Sequence, residues 1–239
     1  MSGGADWHEL VDLARLGAWM DERELASGPL ENAVRLTGGT QNLLLRFRRG
    51  EREFVLRRPS AALREVGGKT IAREARMLKA LAGSRVPHAG LVAACDDEAV
   101  LGAKFYLMEP VDGFNPNSAA GLPLPHAADR DMRRRMGLAM VDALLCLHEL
   151  DYRAIGLDGF GRPDGFHQRQ VARWLHQLES VAGYAGWPGA DSLPGLDRLA
   201  RWLNDNCPQR FSPSILHGDY HLSNVMFSRE GPALSAIVD

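Results

Sequence analysis

The sequence is short of lysine. Lys69, Lys79 and Lys104 are the only three in 239 residues, so 25 of the 28 basic side chains are arginines. Any cationic role therefore falls mostly to a fixed-charge, planar fork. Cysteine is scarce too. Cys95, Cys146 and Cys207 are odd in number and far apart, with no CxxC or Cys/His ligand spacing, which excludes a disulfide framework and a structural zinc site. Neither charge is in excess: 28 basic residues against 30 acidic ones give a net charge of −2. There is thus no bulk basic field to draw in nucleic acid or anionic lipid. A long apolar run is missing as well. The most apolar helical stretch, 137–147, is interrupted by Asp142 and falls short of the ~20 residues of a membrane span. The first ten residues carry Asp6 and Glu9 and no apolar signal core. These absences point to a cytoplasmic protein without a membrane or nucleic-acid partner.

What is present is ordinary globular composition, 45% hydrophobic and 24% charged, at a length that suits one large domain or two small lobes. Residues 7–20 have one greasy helical face (Trp7, Leu10, Leu13, Ala14, Gly17). The period then changes. Val34–Leu36, Asn42–Arg48 and Glu53–Arg57 read as three antiparallel strands, the last two joined by a tight turn at Gly50-Glu51. In the middle strand Leu43, Leu45 and Phe47 share a face opposite Arg46 and Arg48. Residues 70–81 read as a helix closed by Gly83, and Leu91–Ala94 and Lys104–Met108 as strands around an Asp96-Asp97 turn. The segment 112–126, rich in Pro, Gly and Asn, is the expected lobe boundary. Beyond it the character is helical, at 129–150, 168–181 and 196–203. Short strands close the chain at Ser214–Leu216, Val225–Phe227 and Leu234–Val238.

The chemistry is concentrated in Leu216-His217-Gly218-Asp219-Tyr220-His221-Leu222-Ser223-Asn224, followed after a hairpin by Ala236-Ile237-Val238-Asp239. Asp219 and Asn224 share one loop, and an antiparallel return places Asp239 beside Asn224. An amide oxygen and a carboxylate then converge at a strand end, which is hard oxygen ligation suited to magnesium held mainly by substrate phosphates. Asp219, five residues before the asparagine, is free to accept a hydroxyl proton. Two other readings stand beside this one: Asp219 as a turn cap, and His217, Asp219 and His221 as a metal cluster. His217 reads as a brace for the loop. Gly38-Gly39 reads alone as a plain turn; it is no GxGxxG, and no Walker lysine motif occurs. Backbone amides of Gly39 and Thr40 could nonetheless approach phosphate oxygens without a side-chain clash.

Asp-x-x-x-x-Asn on a loop, with an Asp after a hairpin, is the kinase core. In its His-Gly-Asp form the chain resembles the aminoglycoside phosphotransferase-like family. The resemblance extends from about Trp19 to Asp239. It includes Gly38-Gly39-Thr40-Gln41-Asn42, Val55-Leu56-Arg57-Arg58-Pro59, Arg73-Glu74, Phe105-Tyr106-Leu107-Met108-Glu109, and Gly159-Phe160-Gly161 ahead of Arg169-Gln170-Val171-Ala172-Arg173-Trp174. The last of these resembles the branch whose members include domains fused to acyl-CoA dehydrogenases.

The resemblance implies an α+β, two-lobed, protein-kinase-like fold, with a nucleotide-binding small lobe over 1–111 and a helical large lobe over 112–239. It implies transfer of the terminal phosphoryl of ATP or GTP, with Mg2+, to a small-molecule hydroxyl. Asp219 is then the catalytic residue and Asn224 with Asp239 the metal ligands. Gly38, Gly39 and Thr40 cover the phosphates. Arg57, in a slot where most kinases carry lysine, anchors the phosphates and is paired by Glu74. Glu109 offers a carbonyl and Val111 an amide to the purine, against which Met108 packs. Arg58 is expected on the surface of an edge strand. The family continues past an equivalent of Asp239 with further helices, so the chain is expected to end inside the domain. The stretch expected to face the acceptor carries Arg169, Arg173, His176 and Trp174, with no carboxylate before Glu179. That disfavours polycationic aminoglycosides and favours a neutral or anionic hydroxylated metabolite, of hydroxyacyl type. The alternative function is a nucleotide-binding pseudokinase or interaction module without transfer activity.

Overall fold

The computed structural model describes residues 7–36 and 42–238. The chain forms two compact units, Met1–Asp151 with Leu216–Asp239 and Tyr152–Ile215. The boundary expected at 112–126 falls inside the first unit.

The first unit is built on a five-stranded antiparallel sheet. Its strands are β1 (Leu30–Leu36), β2 (Asn42–Arg49), β3 (Arg52–Pro59), β4 (Leu91–Cys95) and β5 (Phe105–Met108), in the order β1-β2-β3-β5-β4. The β2–β3 hairpin is the longest ladder and runs from Asn42↔Pro59 to Arg49↔Arg52. Alternation governs its faces. Leu43, Leu45 and Phe47 of β2, Phe54 and Leu56 of β3 and Phe105 and Leu107 of β5 form the main core. The helix α2 (Leu13–Asp21) closes that core with Leu16, Trp19 and Met20. The opposite face is covered by α3 (Arg64–Leu81), where Ile71 and Ala75 pack with Tyr106 and Met108.

Several elements depart from the sequence reading. The helix expected over 7–20 is two: α1 (Trp7–Leu10) and α2. Asp12 ends the first by capping the second, its carboxylate accepting from the Ala14 and Arg15 amides. The helix expected from residue 70 begins at Arg64, and its first turns bring Gly67 closely against Pro59. The Asp96-Asp97 turn holds a one-turn helix, α4 (Glu98–Leu101), capped by Asp97. Ser214–Leu216 is not a strand.

Arg58 is the largest correction. It is 1% exposed, because β3 is a central strand. Its guanidinium donates to the Leu10 and Leu101 carbonyls and so ties α1 and α4 to the sheet. Arg49 is buried in a similar way, donating to the Gly17 and Gly28 carbonyls and pairing with Asp21.

After β5 the chain runs through irregular residues to α5 (Arg130–His148), which is capped by Asp129. The Met132 amide, and then the Asp131 amide, hold the Asp129 carboxyl below its ordinary value. Met132, Met136, Ala143 and Leu147 line the buried face of α5, while Leu138, Val141 and Leu145 are exposed. The first unit ends in the hairpin of β6 (Val225–Phe227) and β7 (Leu234–Ile237). Phe114 pairs with Phe227 through two backbone hydrogen bonds of 2.9 Å. Gly113, at φ +147°, makes this approach possible, since a Cβ there would lie on the Phe227 carbonyl oxygen. Gly113→Ala is expected to cost about 2–4 kcal/mol, read as a melting-temperature fall of roughly 4–16 °C. A fall of under ~1 °C would refute the close-approach account.

The second unit consists of α6 (Gln170–Ser180), α7 (Leu196–Asp205) and their connections. Arg169 does not project freely. It donates to the Arg162 carbonyl at 2.7 Å and to the Asp164 carbonyl. Trp174 and Trp202 are exposed.

Candidate active site

Asp219 and Asn224 come from the turn between the irregular stretch after α7 and the strand β6. Gly218 takes φ +87°, so the chain bends there. Leu222–Asn224 forms a 3-10 turn, and β6 starts one residue after Asn224. The Asn224 amide nitrogen donates to the Asp219 carbonyl at 3.0 Å and to its carboxylate Oδ2 at 3.2 Å. The other carboxylate oxygen, Oδ1, lies 3.3 Å from His221 Nε2. The Asp219 side chain is 76% exposed, so the carboxylate is oriented from behind and open in front. His217 braces the bend, its Nδ1 accepting from the Asp219 amide at 3.4 Å and its ring meeting Tyr220 edge-on. Tyr220 anchors the loop to α5 by donating to the Met140 carbonyl at 2.8 Å, and burial pushes its phenol pKa up.

The β6–β7 register places Val238 opposite Asn224, its amide donating to the Asn224 carbonyl at 3.0 Å. The metal position read at Asp239 is the next residue and lies outside the described residues, as do Gly38, Gly39 and Thr40. Because the Asn224 nitrogen is committed to Asp219, its oxygen is left as a hard donor, and that donor chemistry fits magnesium. Among the described residues no three or more His, Cys, Asp or Glu side chains form a metal cluster, so the His217–Asp219–His221 alternative is not formed.

Arg57 and Glu74 do meet. Arg57 Nε lies 2.9 Å from Glu74 Oε2, and its Nη2 donates to Oε1 at 3.0 Å. One charge-assisted hydrogen bond and one close ion contact thus join the two side chains. The Tyr106 hydroxyl donates to Glu74 Oε2 at 3.1 Å. Arg57 Nη1 also reaches the Val238 carbonyl at 3.4 Å. A continuous polar path therefore runs from Tyr106 through Glu74, Arg57 and Val238 to Asn224 and Asp219. Met108 lies against the Ile71–Tyr106 cluster. The Glu109 amide is taken by the Gly90 carbonyl at 2.8 Å, and among the described residues the Glu109 carbonyl and Val111 amide make no hydrogen bond.

Sequence reasoning missed the residues that hold the loop. Asn115 donates to the Ser223 carbonyl at 2.6 Å and the Val225 carbonyl at 3.2 Å, and Asn117 to the Ser223 hydroxyl at 2.6 Å. Their only signal was an Asn-Pro-Asn stretch, which reads equally as a structure breaker. Asn115→Ala removes the donor to two carbonyls, at an expected cost of about 1–3 kcal/mol. Urea denaturation measures it, and an unchanged midpoint would refute the bracing.

An antiparallel sheet with a helix glutamate gripping a strand arginine, set beside an Asp/Asn loop and a terminal hairpin, defines a kinase-like fold. The chain belongs to the phosphotransferase enzyme family, whose model matches residues 32–239. It is similar to a putative aminoglycoside phosphotransferase from Ralstonia eutropha, with 32% identity and a TM-score of 0.74, covering 95% of this chain and 64% of that one. An aminoglycoside phosphotransferase solved with AMP-PNP and hygromycin B has the same fold at 14% identity and a TM-score of 0.62, over 94% of this chain and 70% of that one. Among curated proteins, mouse acyl-CoA dehydrogenase family members 10 and 11 are each 30% identical, over 90% and 95% of this chain. The chain spans only 19% and 28% of their lengths.

Proposed function

We propose that the chain is a small-molecule kinase that transfers the terminal phosphoryl of ATP or GTP to a substrate hydroxyl. The observation that carries this is the path joining the Arg57–Glu74 pair to the Asn224–Asp219 loop through Val238. It brings a guanidinium and a carboxylate to one region, which supports reading them as the phosphate anchor and the proton acceptor that phosphoryl transfer uses. In this reading residues 1–111 form the nucleotide lobe and 112–239 the catalytic lobe. Glu109 and Val111 meet the purine edge, Met108 packs on its ring, and Gly38, Gly39 and Thr40 cover the phosphates. Asp219 orients the acceptor hydroxyl and takes its proton, and Asn224 and Asp239 hold Mg2+. The metal, when bound, neutralises charge on the phosphates. The fold neighbour with AMP-PNP supports an adenine nucleotide. The absence of a helix long and apolar enough to cross a membrane, among the described residues, is consistent with a cytoplasmic setting.

For the acceptor, Arg173 and His176, in a run without a carboxylate before Glu179, suit a neutral or anionic hydroxyl compound rather than a polycation, whereas Arg169 is spent on the Arg162 and Asp164 carbonyls. The acyl-CoA dehydrogenase relatives favour a hydroxyacyl-type compound. A second reading, a nucleotide-binding module without transfer, draws on Arg57 standing where most kinases carry lysine. Coupled nucleotide turnover against a panel of hydroxyl compounds decides between them. Acceptor-dependent turnover is expected. Tight nucleotide binding with no turnover on any acceptor would favour the module. Expression in a sensitive host is expected to leave kanamycin resistance unchanged, and a clear rise would overturn the acceptor assignment.

A further inference from the structure

Arg57 stands where most kinases carry lysine, and the two cations make different demands on a partner. An ammonium is a point charge that one carboxylate oxygen can hold. A guanidinium is a planar fork, so the plane of its partner decides where each nitrogen points. We propose that Tyr106 is the positioning residue that sets this plane: its hydroxyl holds the Glu74 carboxylate in the orientation that turns Arg57 Nη1 toward Val238. The role deepens the kinase reading and rests on it for the use of Arg57 as a phosphate anchor.

Register brings the residues together. In the β3–β5 ladder Arg57 lies directly opposite Tyr106, so both side chains leave the same face of the sheet. The adjacent pair, Leu56 opposite Leu107, enters the main core on the other face. Above Arg57 and Tyr106 runs α3, where Ile71 and Ala75 pack with the Tyr106 ring and Glu74 lies between them in the sequence. The ring is buried in this cluster. A tyrosine has only two side-chain torsions to fix, so its hydroxyl is a rigidly placed donor.

A glutamate carboxylate, by contrast, turns on a broad terminal torsion. The Tyr106 hydroxyl donates to Glu74 Oε2 at 3.1 Å. That oxygen also lies 2.9 Å from Arg57 Nε, while Oε1 accepts from Arg57 Nη2 at 3.0 Å. With the carboxylate held in this plane, the third nitrogen of the fork, Nη1, donates to the Val238 carbonyl at 3.4 Å. Val238 is the residue whose amide meets the Asn224 carbonyl. Turning the carboxylate would swing Nη1 away from Val238. A lysine in this slot would be nearly indifferent to the turn, because its charge sits at one point and either carboxylate oxygen can hold it. The tyrosine hydroxyl and the arginine fork thus work as one device.

Two measurements test this. The first is NMR relaxation at Arg57 Nε in the 239-residue chain, compared between the parent and Tyr106→Phe. No nucleotide is present, so the result stands apart from the kinase reading. Phenylalanine keeps the ring and its packing and removes the hydroxyl alone, and circular dichroism checks that the fold is kept. The order parameter at Arg57 Nε is expected to fall from about 0.85, the rigid range, to below ~0.6. The second is a double-mutant cycle with Arg57→Lys, read as calorimetric affinity for AMP-PNP with Mg2+. Tyr106→Phe is expected to weaken binding about tenfold in the parent and less than about twofold in the Arg57→Lys background. A tyrosine that only fills space would cost the same in both. If Arg57→Lys binds too weakly to complete the cycle, the relaxation result decides. A parent that binds no nucleotide would fail the kinase reading, while relaxation still reads the positioning of Arg57. An order parameter unchanged by Tyr106→Phe, or equal losses in the two backgrounds, would overturn the proposal.

Discussion

Asp219→Asn is expected to keep nucleotide binding and to lower turnover about 10²–10⁴-fold, the usual worth of a positioned general base. The amide is nearly isosteric, and its oxygen can still accept from the Asn224 nitrogen that lies 3.2 Å from the carboxylate. What disappears is a group able to take a proton from the acceptor hydroxyl. The side chain's high exposure means that folding does not depend on it. The measurement is kcat with a confirmed acceptor, beside the nucleotide Kd from calorimetry. Unchanged kcat would remove Asp219 from the mechanism. Loss of nucleotide affinity together with stability would show instead that the substitution had collapsed the loop.

Glu74→Leu is expected to destabilise the protein by about 3–5 kcal/mol, because it strands a buried guanidinium. Arg57 is 7% exposed in its side chain and Glu74 23%. The Tyr106 hydroxyl loses its acceptor in the same step. The double variant Arg57→Met, Glu74→Leu separates stability from function. An apolar pair of similar volume is expected to return stability to within about 1–2 kcal/mol of the parent, while nucleotide affinity is expected to fall below the parent's, since the proposed phosphate anchor is removed. Urea denaturation and nucleotide calorimetry read the two effects independently. Restored nucleotide affinity in the double variant would refute the anchoring role of Arg57.

Where local physics decides, the sequence was enough. The β2–β3 hairpin follows from the alternation of Leu43, Leu45 and Phe47 and from Gly50 at the turn, where φ is +56°. The helix α5 follows from Asp129 as its cap and from an apolar stripe that is the buried one. That Asp219 and Asn224 meet on one loop was legible from their spacing. Arg58 was not, because its burial depends on β5 pairing beyond β3 and on carbonyls 48 and 43 residues away. The bracing by Asn115 was hidden for the same reason, since its acceptors lie 108 and 110 residues downstream. The outer face of α5 shows the converse: its exposed Leu138, Val141 and Leu145 carry the same apolar signal as the buried stripe.

The clasp made by Arg58 has a consequence for how this protein is divided. The family match opens at residue 32, yet Leu16, Trp19 and Met20 are part of the principal core, and Leu10 is fastened to β3. The span of the family model and the unit of folding therefore do not coincide, and relatives that align over 95% of this chain include much of the missing segment. Cutting at residue 32 would uncover the part of the core that α2 closes and leave two interior guanidiniums, Arg49 and Arg58, without carbonyls they now hold. The integrity of the segment that the family model describes is thus underwritten by residues that the model does not include.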